Sequence, residues 1–235
     1  MSDKTSPFNI VDIQDDFIVV SKASGINFHD EDNLGQGLFN LVSRHLNQTS
    51  NDKLYPVHRL DKMTSGLLLF ARNLKTAQQF QQLFSQHHIE KYYLAISDKK
   101  PKKKQGLIKG DMEKGRRGSW KLLRSQKKPA ISQFFSYALS EGKRLYLIKP
   151  HSGKSHQIRV ALTSIGAPIL GDERYYGQDC QDRGYLHAYA LKFILSGKSY
   201  HYILTPTSGE HYLEDTAINQ LTKLQTPWLI SWPKI

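Results

Sequence analysis

The chain has 235 residues, and its 33 Lys and Arg residues against 21 Asp and Glu residues give a formal charge of +12. This length can bury a sizeable core in one domain or in two small ones, and the charge favours a polyanionic partner. The one cysteine, Cys180, excludes an internal disulfide and leaves no CxxC pair for a structural zinc site. No apolar run approaches the roughly 18 residues of a membrane span, so we expect a cytoplasmic protein without membrane contact.

The first part of the chain contains both strand and helix patterns. A polar tail at residues 1–7 precedes two apolar segments, 8–13 and 17–21, which predict a β-hairpin. Apolar residues at helical spacing then predict an amphipathic helix over 33–47. The continuous apolar run 67–71 predicts a buried strand.

The second half contains more strands than helices. The predicted strands are 89–97, 130–138, 144–149, 185–195 and 199–204, and the last two form a hairpin. The predicted helices are 74–86, 155–165 with Ser155 as its N-cap, and 216–224, followed by a tail at 228–235. Because strands outnumber helices without alternating with them, the pattern favours an α+β fold.

The segment 99–128 carries most of the net charge. It has 13 Lys and Arg residues against Asp111 and Glu113, a local charge of +11, and its glycines predict long loops around a short hairpin. A solvated loop is one interpretation, but the continuation of the basic residues as far as Lys128 favours a surface that tracks phosphates.

Asp61 lies between Arg59 and Lys62, directly before the turn that leads into the buried strand. Burying this carboxylate would require a partner cation or several donors. An isolated R-x-D is more often a solvated surface loop, so the surrounding residues decide between the two interpretations.

Three segments together resemble motifs of the RluA-type pseudouridine synthase family. His58 begins HRLDKMTSGLLL, Lys91–Ala95 is similar to K-x-Y-x-A, and 153–160 (GKSHQIRV) is similar to GRTHQIRV. The opening DDFIVVSKASG also resembles the family, although Ala23 replaces its usual proline. Other departures are Met63, Lys154 and Ala161, none of which falls on the catalytic positions.

The resemblance implies a pseudouridine synthase fold, with one mixed, largely antiparallel sheet, flanking helices and a catalytic cleft. It implies a catalytic domain at 8–213 that includes 99–128 as a basic RNA-binding insertion, with 214–235 as a C-terminal extension. The implied activity isomerises specific uridines in ribosomal or transfer RNA, by a monomer that needs no cofactor and no metal.

The resemblance also assigns the site. Asp61 matches the catalytic aspartate, Arg159 the arginine that pairs with it, and Tyr93 the tyrosine that stacks on the uracil and could take part in proton transfer. Whether Asp61 attacks C1′ of the ribose, attacks C6 of the base or abstracts a sugar proton stays open. Tyr92 falls off the motif position and is interpreted as an ordinary strand residue.

Several further residues are expected to contact RNA, and Arg59 would fill the space that the flipped base vacates. The predicted contacts are His58, Arg59, Lys102, Lys103, Lys104, Arg116, Arg117, Lys154 and His156. The two histidines lie beside the catalytic candidates, which invites an acid/base role, but structural hydrogen bonds or RNA contacts are favoured because the family chemistry is built around the aspartate.

Two rival functions remain. The chain could be an RNA-binding module without activity, although Asp61, Tyr93 and Arg159 are all present. It could also be a metal-dependent RNA hydrolase, although residues 55–72 contain no acid other than Asp61.

Overall fold

The computed structural model describes residues 6–30, 34–47, 53–177 and 180–235. The strands are β1 (Phe8–Ile13), β2 (Phe17–Lys22), β3 (Tyr55–Pro56), β4 (Ser65–Ala71), β5 (Glu90–Ser97), β6 (Gln105–Gly110), β7 (Met112–Lys114), β8 (Trp120–Leu122), β9 (Ala130–Ala138), β10 (Arg144–Pro150), β11 (Leu186–Leu195) and β12 (Lys198–Ile203). The α-helices are α1 (Leu38–Asn47), α2 (Leu74–Ser85), α3 (Gln157–Ser164), α4 (Glu210–Leu213) and α5 (Asp215–Leu221).

Ten of these strands form one mixed sheet, in the order β1-β2-β4-β11-β5-β10-β9-β6, with β3 beside β4 and β12 beside β11. The central pair β4 and β11 is parallel, and the pairs on either side of it are antiparallel. Strands β7 and β8 make a separate hairpin. The predicted α+β fold with a largely antiparallel sheet is confirmed. No helix in the described ranges is both long and apolar enough to cross a membrane.

Strand β4 is buried on both faces, which explains its uninterrupted apolar sequence. Leu67 and Leu69 pack in a cluster with Phe80 of α2, whereas Leu68 and Phe70 pack in a cluster with α1. Successive side chains of a strand point to opposite faces, so helices on both sides of the sheet require a continuous apolar run. The buried strand predicted at 67–71 is confirmed.

Gly66 makes the close contact between β4 and β11 possible. Its φ is +107°, and a Cβ atom at this position would lie 2.3 Å from the carbonyl oxygen of Ala188. Only glycine fits such a close approach of two backbones. The turn that leads out of the Asp61 loop is therefore pressed directly against β11.

Helix α1 begins later than the sequence predicts. The predicted first residue of α1, Asn33, lies outside the described residues, and the helix begins at Leu38. The Asp30 carboxylate accepts the backbone N–H groups of Gly35 and Gly37, both at 2.7 Å, and so engages residues directly before the helix. The predicted tail at 1–7 also falls largely outside the described residues.

The prediction that Ser155 caps α3 is wrong. The helix begins at Gln157, and His156 precedes it in a left-handed conformation with φ of 56°. The buried Gln157 side chain accepts hydrogen bonds from the Ser152 hydroxyl, at 2.7 Å, and from the backbone N–H of Lys154, at 3.1 Å. These bonds hold the chain in a turn where the sequence predicts the first helical residues.

The segment 99–128 is more regular than predicted. Besides the expected hairpin, β7 with β8, it supplies β6, which pairs with β9 at the edge of the main sheet. Gly106 and Gly110 interrupt the apolar alternation of β6, in which Ile108 is the buried hydrophobic side chain. That interruption hides the strand from pattern analysis.

The C-terminal segment contributes to the core. Leu221 and Leu224 are buried in the large cluster beside the central strands, and Trp228 and Trp232 pack against it. The Tyr189 hydroxyl donates a hydrogen bond to the Leu224 carbonyl at 3.2 Å. The short helix α4 was not predicted from the sequence.

Candidate active site

An open cleft of about 470 Å³ lies beside the central strands, between the loop before β4, the start of β5 and the segment that leads into α3. It contains Asp61, Tyr93, Arg159, Arg59, His58, Lys154 and His156. The structure therefore brings together seven of the predicted site residues from three separate segments of the chain.

Arg159 is the central charge of the cleft because its guanidinium group bridges two carboxylates. Its Nη1 donates to Asp61 Oδ2 at 3.1 Å, while Nε and Nη2 donate to the two oxygens of Asp172, both at 2.8 Å. Arg159 and Asp172 are buried, whereas the Asp61 side chain is one-quarter exposed. Burial opposes the charge on Arg159, but hydrogen bonds and charge from Asp172, with Asp61 adding to them, raise its pKa above the usual value.

Tyr175 supports the other side of the guanidinium group. Its ring centroid lies 5.0 Å from the Arg159 Cζ atom. Its hydroxyl oxygen accepts the backbone N–H of Trp120 at 2.9 Å and lies 2.9 Å from His156 Nδ1. Arg159 is thus held by a bidentate carboxylate and by an aromatic ring that is itself tied to the β7–β8 hairpin.

The two neighbouring tyrosines of β5 have different environments. Tyr93 lines the cleft, and burial together with the Asp61 charge raises the pKa of its hydroxyl. Tyr92 is fully buried, and its hydroxyl donates to Glu90 Oε2 at 2.5 Å. The interpretation of Tyr92 as a structural strand residue agrees with these contacts.

Each of the two histidines has one nitrogen in a structural contact. His58 Nε2 accepts the backbone N–H of Leu69 at 3.0 Å, and burial together with the charge of Lys91 lowers its pKa to about 3. Burial also lowers the pKa of His156, with Arg159 adding to the effect. Both imidazoles are therefore neutral near pH 7 and line the cleft as hydrogen-bonding groups.

The basic residues of 99–128 all lie on the surface. Each of the 13 side chains is exposed, including Lys102, Lys103 and Lys104 before β6 and Arg116 and Arg117 at the tip of the β7–β8 hairpin. We call these 13 side chains the basic surface.

Contacts from the cleft reach the basic surface at two points. Lys154 Nζ donates to the carbonyl of Lys128, and the Arg174 guanidinium group donates to the carbonyl of Arg117. Lys154 lines the cleft, and Arg174 follows Asp172 in the chain by two residues. The segment that carries the basic surface is therefore bound to a residue of the cleft wall, Lys154, and to the turn that holds Asp172.

The donor set of the cleft does not suit a metal ion. Asp172, which lies outside the segment 55–72, is a second carboxylate near Asp61, but both of its oxygens accept from Arg159. Across the described part of the chain, no three His, Cys, Asp or Glu side chains group together in a way that could hold a metal ion.

The sequence model of the family described as RNA pseudouridylate synthase matches residues 16–164. This span includes Asp61, Tyr93 and Arg159. The chain belongs to the RNA pseudouridylate synthase family.

Similar proteins carry related names. An "Uncharacterized RNA pseudouridine synthase" of Haemophilus influenzae is 46% identical over 208 residues, which are 88% of this chain and 91% of that protein. The "Ribosomal large subunit pseudouridine synthase C" of Rickettsia bellii is 30% identical over 190 residues, which are 78% of this chain and 62% of that protein. The RluA-type resemblance and the assignment as an RNA pseudouridine synthase, an isomerase, are confirmed.

Solved structures share the fold. The structure titled "Human RNA Pseudouridylate Synthase Domain Containing 1" superposes with a TM-score of 0.72 at 22% identity and covers 92% of this chain and 93% of that one. The structure titled "Human RNA Pseudouridylate Synthase Domain Containing 4" gives a TM-score of 0.68 at 23% identity, with 92% of each chain covered. The pseudouridine synthase fold is confirmed.

In this synthase the loop that carries Asp61 is clamped from the end of β2. The Lys22 side chain is 1% exposed, and its Nζ donates to the carbonyls of Ala23, Lys62 and Thr64 at 2.9, 3.0 and 2.8 Å. An ammonium group has three N–H donors, so all of them are used.

The residues after Lys22 complete this clamp. The Ser24 hydroxyl donates to the Met63 carbonyl at 2.7 Å, and the Gly25 N–H donates to the Lys62 carbonyl at 2.9 Å. Every carbonyl from Lys62 to Thr64 thus accepts a hydrogen bond from the segment 22–25.

Sequence analysis missed four residues that shape this site. Lys22 and Lys91 lie within the family-like segments, but the sequence analysis assigned them no role. The signal for Lys22 was a lysine at the end of an apolar strand. Asp172 and Tyr175 lie in a segment without periodicity. The need of a buried Arg159 for a full counter-charge is the signal that could have pointed to Asp172.

We expect Lys22→Met to misplace Asp61. The substitution keeps the length of the side chain but removes three hydrogen bonds to the loop backbone, and a displacement near 1 Å lowers catalytic rates on the order of 100-fold. Turnover measured under saturating RNA should fall by about that factor, while RNA affinity stays within about twofold because the basic surface is intact.

Lys62→Met is the matched control, because Lys62 is exposed on the same loop and makes no such backbone contacts. Equal turnover of the Lys22 and Lys62 variants would contradict the positioning role of Lys22.

Proposed function

We propose that this synthase converts specific uridines of structured RNA into pseudouridine, with Asp61 as its catalytic carboxylate. The observation that carries the proposal is the contact between Asp61 and the buried Arg159 at 3.1 Å in a cleft that Tyr93 also lines. The target is ribosomal or transfer RNA, and the name of the Rickettsia bellii relative favours ribosomal RNA.

The reaction needs no atom from outside the RNA except exchangeable protons. The bond between C1′ of the ribose and N1 of the uracil breaks, and its electron pair stays on the base. The base turns, C5 forms a bond to C1′, C5 loses its proton and N1 gains one. A carboxylate that serves as nucleophile or base and a flat surface for the detached base are the protein groups that this sequence of steps requires.

The three central residues have separate roles in this proposal. Asp61 supplies the carboxylate, and Arg159 supplies its counter-charge while Asp172 keeps the guanidinium group fixed. The Tyr93 ring stacks on the uracil, a contact worth about 1–3 kcal/mol. Its hydroxyl, with a raised pKa, stays protonated and can donate a hydrogen bond.

RNA contacts extend outward from the cleft. Arg59 is exposed at its edge and fills the space left by the flipped nucleotide, while His58, His156 and Lys154 contact the RNA from the walls. Lys102, Lys103, Lys104, Arg116 and Arg117 follow the phosphates beyond the cleft.

For the whole chain we propose a cytoplasmic monomer. Residues 8–213 form the catalytic domain, 99–128 its RNA-binding insertion and 214–235 an extension that packs on the same core. This organisation leaves one cleft and one basic surface to select the RNA.

Asp61→Asn tests the catalytic role directly. An amide is neither a competent nucleophile nor a base, so pseudouridine formation should stop, scored by chromatography of digested RNA because the two nucleosides have equal mass. The fold should survive, because Arg159 keeps its bidentate bond to Asp172 when the Asp61 charge is lost. Asp215→Asn removes an exposed carboxylate outside the cleft and should leave turnover unchanged.

A thermal melt must accompany this assay. Arg159→Met should be much less stable than Asp61→Asn, by ~3–5 kcal/mol, because it leaves the buried Asp172 without a counter-charge. Turnover near the wild-type rate by a folded Asp61→Asn protein would refute the catalytic assignment.

A triple variant tests the RNA-binding role of the basic surface. It changes Lys102, Lys103 and Lys104 together to Gln. Each lost phosphate contact should lower the slope of log K against log salt by ~0.7–0.9, and RNA affinity should fall accordingly. The matched control changes Lys75, Lys198 and Lys223 to Gln, which removes the same charge from exposed positions outside 99–128. Identical slopes for the two triple variants would show that the basic surface is ordinary solvated charge.

A further inference from the structure

Lys91 is a charged residue of the cleft to which the mechanism above gives no role. It lies on β5 two residues before Tyr93, so the two side chains point to the same face of the strand, and both line the cleft. Its neighbour Glu90 points to the opposite face, where its carboxylate accepts from Lys149 Nζ at 2.5 Å and from the Tyr92 hydroxyl.

The ammonium group of Lys91 lacks a counter-charge. Its polar contact is the Ser152 carbonyl at 3.5 Å, and the Phe84 ring centroid lies 5.7 Å away. Burial lowers the pKa of Lys91, and no carboxylate in the described ranges pairs with it to offset that burial. A mostly buried cation with unused donors is costly unless an anion or a strong acceptor enters the site.

The position of Lys91 relative to Asp61 indicates which part of the nucleotide it meets. The reaction requires C1′ of the ribose near Asp61, and the phosphates branch from that ribose. Asp61, Lys91 and Tyr93 all line the cleft, and Lys91 lies two residues from Tyr93 on the same face of β5. A uracil stacked on the Tyr93 ring would therefore lie beside the Lys91 side chain, and its carbonyl oxygens are the groups that an ammonium donor can meet there.

We propose that Lys91 is a further catalytic residue, whose ammonium group donates a hydrogen bond to a carbonyl oxygen of the target uracil and stabilises the negative charge that develops on the ring. This inference rests on the proposed function. It assigns the part of the cleft next to Lys91 as a subsite that stabilises negative charge on the base.

The same role holds for each route open to Asp61. Attack at C1′ forms the carboxylate–C1′ bond and expels the base with the electron pair of the C1′–N1 bond. Abstraction of the proton on C2′ forms a C1′=C2′ double bond and expels the same pair. Attack at C6 forms the carboxylate–C6 bond and moves the electrons of the C5=C6 bond onto O4. In all three the ring oxygens gain negative charge, and Lys91 keeps its proton.

The decisive experiment compares Lys91→Gln with Lys91→Arg on ribosomal and transfer RNA from cells that lack this gene. Lys91→Gln should lower the single-turnover rate on the order of 100-fold, the loss seen when one donor to a developing oxyanion is removed. RNA affinity should stay within about twofold, because the basic surface that tracks phosphates is intact. Lys91→Arg keeps a charged donor and should recover part of the rate.

The melting temperature separates the proposed role of Lys91 from a structural one. We expect the melting temperature of Lys91→Gln not to fall, because the variant removes a buried charge without a partner. A structural role for Lys91 predicts a lower melting temperature. Lys75→Gln, an exposed lysine of α2, should leave rate, affinity and melting temperature unchanged.

Three results would overturn the inference. The first is a Lys91→Gln rate close to wild type, and the second is a loss confined to RNA affinity and its salt slope, which indicates a phosphate contact. The third is an equal loss of rate in the Gln and Arg variants together with a lower melting temperature. Wild-type protein that forms no pseudouridine in this RNA would instead count against the proposed function, which keeps the two failures separate.

Discussion

The bridging of two carboxylates by Arg159 is the interaction on which the site depends. A buried guanidinium group is stable only with full charge compensation and aligned acceptors. Asp172 supplies both through two bonds of 2.8 Å, which fixes the plane of the group and leaves Nη1 to meet Asp61. The more exposed Asp61 carboxylate therefore receives a rigid counter-charge from Arg159. The buried guanidinium group does not depend on Asp61 for its own stability, because Asp172 already compensates its charge. Asp172, which stabilises Arg159, and Asp61, which we propose as the catalytic carboxylate, thereby have separate roles within one triad.

The sheet brings this triad to the cleft by close backbone contacts. Strands β4, β11 and β5 are neighbours, and the Asp61 loop, the Tyr93 side chain and α3 meet beside them. Gly66 permits the contact between β4 and β11, and Lys22 uses its three donors on carbonyls around the loop. The position of the Asp61 carboxylate thus rests on buried hydrogen bonds to the loop backbone.

Much of the fold and the central site residues could be predicted from the sequence, because they follow strong local patterns. The apolar run of β4 and the helical period of α2 report burial directly, and the HRLD and HQIRV segments carry the resemblance. The start of α3, the strand β6 and the partner Asp172 were missed. Each was missed for its own reason. Local hydrogen bonds to the Gln157 side chain hold the chain in a turn before α3, and glycines interrupt the apolar alternation of β6. Asp172 is paired with the buried Arg159 by a contact between residues 13 positions apart, which no local pattern reports.

A map of pseudouridine across all RNA in cells with and without this gene tests the central claim most directly. The account predicts that one or a few uridines in ribosomal or transfer RNA lose the modification when the gene is deleted and regain it when the intact gene is returned. Two identical maps, with every pseudouridine retained in the deleted cells, would contradict the claim that this chain modifies RNA.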